Sequence, residues 1–254
     1  SYLYGTIHVG KLAWAFPGPN LVAALRATEV LALELDITDP VIRKALLTPQ
    51  KGTRALALSA KLRERLARQA VLACVPAEAL TSLSPLMQAA TYVLLSARWD
   101  GLDGSFGQDA VLAAVVRGRR PIVSLETPEQ QLTVLSPADP QLAKKMLEQM
   151  LDQLEQGSAR ATMVRLADAW ASGDLAALED YPSWCDCADT EEDRAFMREA
   201  NDNRNPNIAA QIDLLHGKGK PFLAAVGALH MTGDKALTKL LAQRGFRVER
   251  VNAR

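Results

Sequence analysis

The sequence predicts an α/β protein, and three observations carry that reading. The chain opens on a strand, a helix and a second strand in close succession. Further short apolar runs that read as strands recur near residues 119–127 and 220–230. Between them lie long stretches rich in alanine and leucine at helical spacing.

Taken in order, residues 2–8 ("YLYGTIH") are short, apolar and β-compatible, and Gly10 closes them, so they form a first strand. "PGPN" at 17–20 sets a turn with Asn20 as the expected helix N-cap, and "LVAALRAT" continues as a helix. "EVLALEL" at 29–35 reads as a second strand ending at Glu34, Leu35 and Asp36. A strand, helix, strand crossover puts both strands in one sheet with their C-terminal ends at one edge, which would make His8 and Glu34 neighbours. From about 40 to 100 the chain reads as a largely helical insertion. "DGLDGSFGQDAVLAAVVRG" then sets three glycines before a helix with Asp109 near its start. "RRPIVSLET" resembles a strand ending in Glu126, with Pro128 suited to the first turn of the next helix. Residues 140–171 read as one long amphipathic helix whose charges form a solvated face. After a polar, partly irregular segment, "IAAQIDLLHG" returns to helix, "KPFLAAVGALH" is a strand ending at His230, and "GFRVERV" is a terminal strand.

The chain has 254 residues, 48% of them hydrophobic, ample for a core, and one domain over 1–254 is the expectation. Lysine plus arginine number 29 against 29 acidic residues, so no positive field exists to neutralise a phosphate backbone, and nucleic acid is not an expected partner. No apolar segment is long enough to span a bilayer. The sequence starts without methionine, so the lack of a visible signal peptide says little about export. Of three cysteines, Cys185 and Cys187 lie in "WCDC" and Cys74 in "LACVP". A pairing of Cys74 with one of the other two, in an oxidising compartment, is favoured slightly over three free thiols, because Cys-x-Cys alone is a weak zinc signal.

The chain has three histidines, and two share a Gly-x-x-His frame at the end of an apolar run: "GTIH" ending at His8 and "GALH" ending at His230. A neutral imidazole ligates metal and titrates near neutrality, so two rings delivered to one sheet edge point to a shared site. The bland alternative is a pair of hydrogen-bonded core histidines. His216, just before Gly217, reads as a last-turn residue interacting with the helix dipole. Glu34, Asp36 and Glu126 end apolar strands, where a carboxylate needs a partner. That partner is an arginine in the structural reading and a metal or histidine in the functional one. Arg204 and Asn205 in "RNPN" supply a cation and an amide donor that could hold a substrate carboxylate or an oxyanion.

Several familiar sites are absent from the sequence: His-Glu-x-x-His, Gly-x-Ser-x-Gly, a Walker loop and a Gly-x-Gly-x-x-Gly after a strand. Asp100 and Asp103 lack the later glutamate of a calcium loop.

Seven segments, "YGTIHVG", "LALELD", "GLDGSF", "LETPEQQL", "WASGDLAAL", "RNPNIAAQI" and "VGALHMTGDKALTKLLAQRGFRVERV", occur in the order of the TraB/GumN (pheromone-shutdown) family. The chain resembles that family over nearly its whole length, and the animal Tiki proteases are similar to it. The resemblance implies a single domain with a central mixed β-sheet wrapped by helices, related in fold to erythromycin esterase and the haem-binding ChaN proteins. It also implies a metal-dependent peptidase in which manganese, cobalt or zinc is held by His8, His230 and Glu34. Glu34 and Glu126 would be the proton-accepting candidates, with Arg204 and Asn205 completing the catalytic set. The expected partner is a peptide or protein substrate. The expected location is exported, periplasmic or anchored through a removed N-terminal segment, with the cytoplasm as alternative. Two rival readings use the same residues: a metal-free hydrolase with His8 as base oriented by Glu34, and a protein that sequesters peptide, haem or metal without turnover.

Overall fold

A computed structural model describes residues 1–48, 56–76, 78–135, 137 and 139–251. Among these residues four strands form one sheet: β1 (Tyr2–Thr6), β2 (Val30–Leu33), β3 (Ile122–Ser124) and β4 (Phe222–Gly227). Their spatial order is β1-β4-β2-β3 and every pairing is parallel. The sheet is therefore parallel rather than mixed across these strands, because the run "GFRVERV" expected as a terminal strand does not pair as one. β4 also separates β1 from β2, so the residues after those two strands flank a third strand end instead of adjoining each other.

A parallel sheet is covered on both faces, and its strands are correspondingly apolar throughout. On one face Val30, Ala32, Phe222, Ala224 and Val226 pack against Ile208 and Ile212 of the helix Asn205–Gly217 and Leu237 and Leu241 of the helix Leu237–Gln243. On the other, Leu31, Leu33, Leu223 and Ala225 meet Leu25 of the helix Pro19–Arg26 and Leu112, Ala113 and Val116 of the helix Gln108–Val116.

The region read as a helical insertion holds the helices Pro40–Leu47, Ala60–Leu72 and Pro85–Ser96. Each starts on a side-chain cap: Asp39 accepts from Val41 N, Ser59 from Leu62 N and Ser84 from Met87 N. Leu62, Leu66, Leu86 and Tyr92 bury against Met146, Leu147 and Leu151 of the helix Pro140–Gln156, a core distinct from the two that cover the sheet.

Two boundary expectations change. The single helix over 140–171 is two, Pro140–Gln156 and Ser158–Ser172, because Gly157 turns the chain at φ 80°. The first helix begins at Pro19 with Gly18 as N-cap, so Asn20 lies within its first turn. The cysteine expectation is corrected: Cys185 is bonded to Cys187, and Cys74 is a free, exposed thiol.

Candidate active site

Because all four strands run the same way, the residues that follow them gather at one edge, where open α/β sheets place their sites. In spatial order these are His8 after β1, His230 in the turn Ala228–Met231 after β4, Glu34 directly after β2, and Glu126 after β3. Arg204 and Asn205 arrive at the same edge from the start of the helix that leads into β4. A π-turn over Arg198–Asp202 precedes them, and such widened turns recur at functional positions.

The glycines of the two Gly-x-x-His frames serve close approach. A Cβ on Gly5 would stand 3.1 Å from Ala228 Cα, within the second frame. A Cβ on Gly227 would stand 3.2 Å from Glu34 Oε1, and the bare backbone lets Gly227 N donate to that oxygen at 2.7 Å. Gly107 packs against the first frame still more tightly: a Cβ there would be 2.4 Å from the His8 carbonyl oxygen.

Arg204 is the hub of the buried part. Its Nη2 donates to Glu34 Oε2 at 2.5 Å and to Glu126 Oε2, its Nε to Glu126 Oε1 at 2.9 Å, and its Nη1 to the Ala200 carbonyl at 2.8 Å. Gln131 Nε2 bridges both carboxylates, at 3.4 Å from Glu34 and 3.3 Å from Glu126. The structural partner weighed for the strand-end acids, an arginine, is thus present. It is one arginine for two carboxylates, which leaves the trio with a formal charge of −1.

Burial pushes the Glu34 carboxyl up, but the charges of His230, His8 and Arg204 and the Gly227 N–H outweigh it and hold it at about 2. His230 itself is pushed down to about 4, chiefly by burial. A ring that is neutral above pH 4 cannot hold Glu34 ionised at pH 7, so there the work falls to Arg204, His8 and the Gly227 N–H.

The tautomer of His230 follows from its neighbours. Asn205 Nδ2 donates to the carbonyls of His230 at 3.3 Å and Lys235 at 2.8 Å, so its Oδ1 is the atom 2.5 Å from His230 Nδ1. Nδ1 therefore carries the hydrogen, and the Nε2 lone pair is left 3.9 Å from Glu34 Oε1. His8 is arranged in parallel: its Nδ1 donates to Asp109 Oδ2 at 2.8 Å, while Thr6 Oγ1 donates to Asp109 Oδ1 at 2.7 Å. The adjacent Asp109 carboxylate pushes His8 up to about 9. The His8 side chain is 62% exposed, and water screens the pair, so its weight lies in orienting the ring rather than in stability.

Of the six expected site residues, Glu34, Glu126, Arg204, Asn205 and His230 are joined by these contacts, whereas the His8 ring bonds to Asp109, and not all of the five face outward. Asn205 is fully buried and its amide is occupied, and the Arg204 guanidinium is committed to Glu34, Glu126 and a carbonyl. Both oxygens of Glu126 are likewise taken. Asp36 turns away, accepting from Thr38 N at 3.0 Å. His216 sits in the last turn of its helix as expected, with its ring 5.0 Å from that of Phe246. Two contributors were not picked out from sequence, Asp109 and Gln131. Each lies in the first or second turn of a helix that follows the edge, and neither differs in type from an ordinary helix-surface residue.

Among the described residues, no group of three or more His, Cys, Asp and Glu side chains stands close enough to hold an ion as it is. Each of the two imidazoles does pass its Nδ1–H to an acceptor, His8 to Asp109 and His230 to Asn205, as metal-ligating imidazoles do. Two ligands about 2.1 Å from one ion at a tetrahedral angle stand roughly 3.4 Å apart. The 3.9 Å between Nε2 and Oε1 is half an ångström wider than that by this estimate.

The TraB/PrgY/gumN family matches this chain over residues 1–250. The chain belongs to that family. No curated protein and no solved structure matches it. In this TraB/PrgY/gumN chain no helix among the described residues is long and apolar enough to cross a membrane.

Proposed function

We propose that the chain is a divalent-metal-dependent hydrolase acting on peptide bonds, with His8, His230 and Glu34 as the residues that would hold the ion. The observation that carries this is the matched tying of both Gly-x-x-His rings: each Nδ1 is spent on an acceptor, so each ring offers Nε2. The uncompensated negative charge of the Glu34, Glu126 and Arg204 trio favours a cation beside it. The peptide bond as target rests on the resemblance to the Tiki proteases, and the family membership is compatible with it.

When bound, a divalent ion polarises a carbonyl and lowers the pKa of its water toward about 7. The chain's own residues do the rest. Arg204 keeps Glu34 ionised, with Oε1 turned to His230. Glu126 and Gln131 hold the guanidinium in place. Asp109 and Asn205 fix the two rings. Because Asp109 keeps His8 protonated, its Nε2 must shed a proton before it can ligate, so metal affinity rises with pH. An exported location accords with the Cys185–Cys187 bridge, since disulfides persist in oxidising compartments.

The test combines metal content with cleavage of a peptide library supplemented with manganese, cobalt or zinc, on wild type, the His8→Ala/His230→Ala double variant and Glu34→Gln. The expected result is metal-dependent cleavage that disappears in the double variant. Metal content and cleavage should both fall in Glu34→Gln, which puts a neutral amide where the anionic ligand stands, with peptide affinity retained. Cleavage that ignores metal but needs His8 would replace this proposal with the metal-free hydrolase. Peptide or haem binding without turnover would replace it with sequestration.

A further inference from the structure

The Cys185–Cys187 bridge takes no part in the site above. It lies in the loop between the short helix Tyr181–Trp184 and the helix Glu191–Met197, and it joins residues only two apart. A cross-link steadies a fold mainly by restricting the unfolded chain, and that restriction grows with the logarithm of loop length, so a ring this small supplies little of it. Locally the ring holds Asp186 at φ 55°, a left-handed conformation uncommon for a residue with a Cβ. The Asp186 carbonyl accepts from Gln153 Nε2, which docks the loop on the helix Pro140–Gln156.

The two sulfurs have unequal surroundings. Cys185 is 2% exposed. Cys187 is partly exposed, with its sulfur 3.8 Å from Met197 Sδ, and it lines a cavity of about 170 Å³ together with Met146, Met150, Phe196 and Tyr181. Accessible or conformationally strained disulfides are the ones that exchange.

We propose that Cys185–Cys187 is a thiol–disulfide exchange site, with Cys187 Sγ as the atom attacked and an apolar peptide dithiol as substrate. A substrate thiolate attacks Cys187 Sγ, the S–S bond breaks, and Cys185 leaves as a thiolate that takes up a proton. The substrate's second thiolate then attacks the substrate sulfur of the mixed disulfide and releases Cys187, which is protonated in turn. The dithiol loses two electrons and two protons, the bridge gains both, and the substrate leaves as a disulfide. Apolar side chains beside the substrate cysteines fit the methionine-lined wall.

The experiment uses the full chain carrying Cys74→Ser and a synthetic apolar peptide with two cysteines. Alkylation and mass measurement follow both partners across a series of dithiothreitol redox buffers. The expected result is a reversible two-electron titration with the far-UV circular dichroism unchanged, and oxidation of the peptide by the oxidised protein. Once the bridge is reduced, peptide mapping should show Cys187 alkylated about tenfold or more faster than Cys185, as their unequal exposure requires. That order is read in the unmutated pair and needs no cysteine variant to fold. Reduction that occurs only together with loss of helical signal would make the bridge a structural staple and overturn the proposal. Equal alkylation rates, or a peptide that stays reduced beside the oxidised protein, would also overturn it.

Discussion

Replacing Arg204 by Met tests the hub of the site most directly. The substitution keeps an unbranched apolar stem and removes the charge that faces Glu34 and Glu126, whose side chains are 8% and 1% exposed. Breaking a buried ion pair by deleting one partner costs about 3–5 kcal/mol, because the other charge stays buried without compensation. Glu34 offers a second route to the magnitude. Its pKa of about 2 against an ordinary 4.5 corresponds to about 3 kcal/mol at 1.36 kcal/mol per pH unit. His230 and His8 lower it more than Arg204 does, so only part of this figure is the Arg204 share, and the expected loss rests on the buried pairs it makes with both carboxylates. A loss of about 3 kcal/mol is therefore expected at pH 7.5, a large part of the 5–15 kcal/mol typical of a folded domain. The sign with pH is definite. A depressed carboxylate contributes stability that is present above 4.5 and lost as pH falls through about 2. Without Arg204, burial raises Glu34 and it protonates earlier, so the gap between wild type and variant should narrow from pH 7.5 to pH 4. Urea unfolding followed by circular dichroism at these pH values reads both effects. A loss below about 1 kcal/mol that does not change with pH would refute the buried-hub reasoning.

Further outcomes follow from the same contacts. His230 is held at about 4 against 6.5, so neutral His230 stabilises the fold above pH 6.5. This contribution, about 3 kcal/mol in all, is lost as pH falls from 6.5 to 4. His230→Gln should flatten that window in urea titrations, and an unchanged slope would contradict the assignment. For His8 the sign is opposite: a raised pKa gives stability that is whole below 6.5 and fades as pH rises through about 9. Asp109→Asn should return the His8 titration, followed by NMR, toward 6.5, and a value still near 9 would show that Asp109 is not the cause. Gly107→Ala forces a Cβ against the His8 backbone and should cost about 1–3 kcal/mol, the range for overpacking. Gly104→Ala, which meets only the His8 oxygen at 3.8 Å, serves as the tolerated control in the same loop.

Much of the site was legible in the residues alone. A strand that ends in a histidine or an acid places it at the sheet edge whatever the rest of the chain does, and in a parallel sheet all such ends coincide. That is why His8, Glu34, Glu126 and His230 could be grouped from pattern, whereas Arg204 and Asn205 joined that group only through the family resemblance. Strand order was not legible, because hydrophobic pattern is the same for a strand at the sheet's edge or its centre. The insertion of β4 between β1 and β2, which sets His230 between His8 and Glu34, is therefore a tertiary result. So is the choice of partners. Nothing in "GQDAVL" or "EQQL" marks Asp109 or Gln131, whose roles depend on side chains meeting across more than 90 residues in the contacts to His8 and Glu34. The same holds for the cysteines: spacing allowed Cys74 to pair, and only the positions of the chains put Cys185 and Cys187 in bond contact and left Cys74 on the surface. The sequence by itself determined which chemical groups reach the edge, since that depends on local backbone geometry. The tertiary structure decided which of them are buried, charged and paired, since those depend on distance and on the exclusion of water.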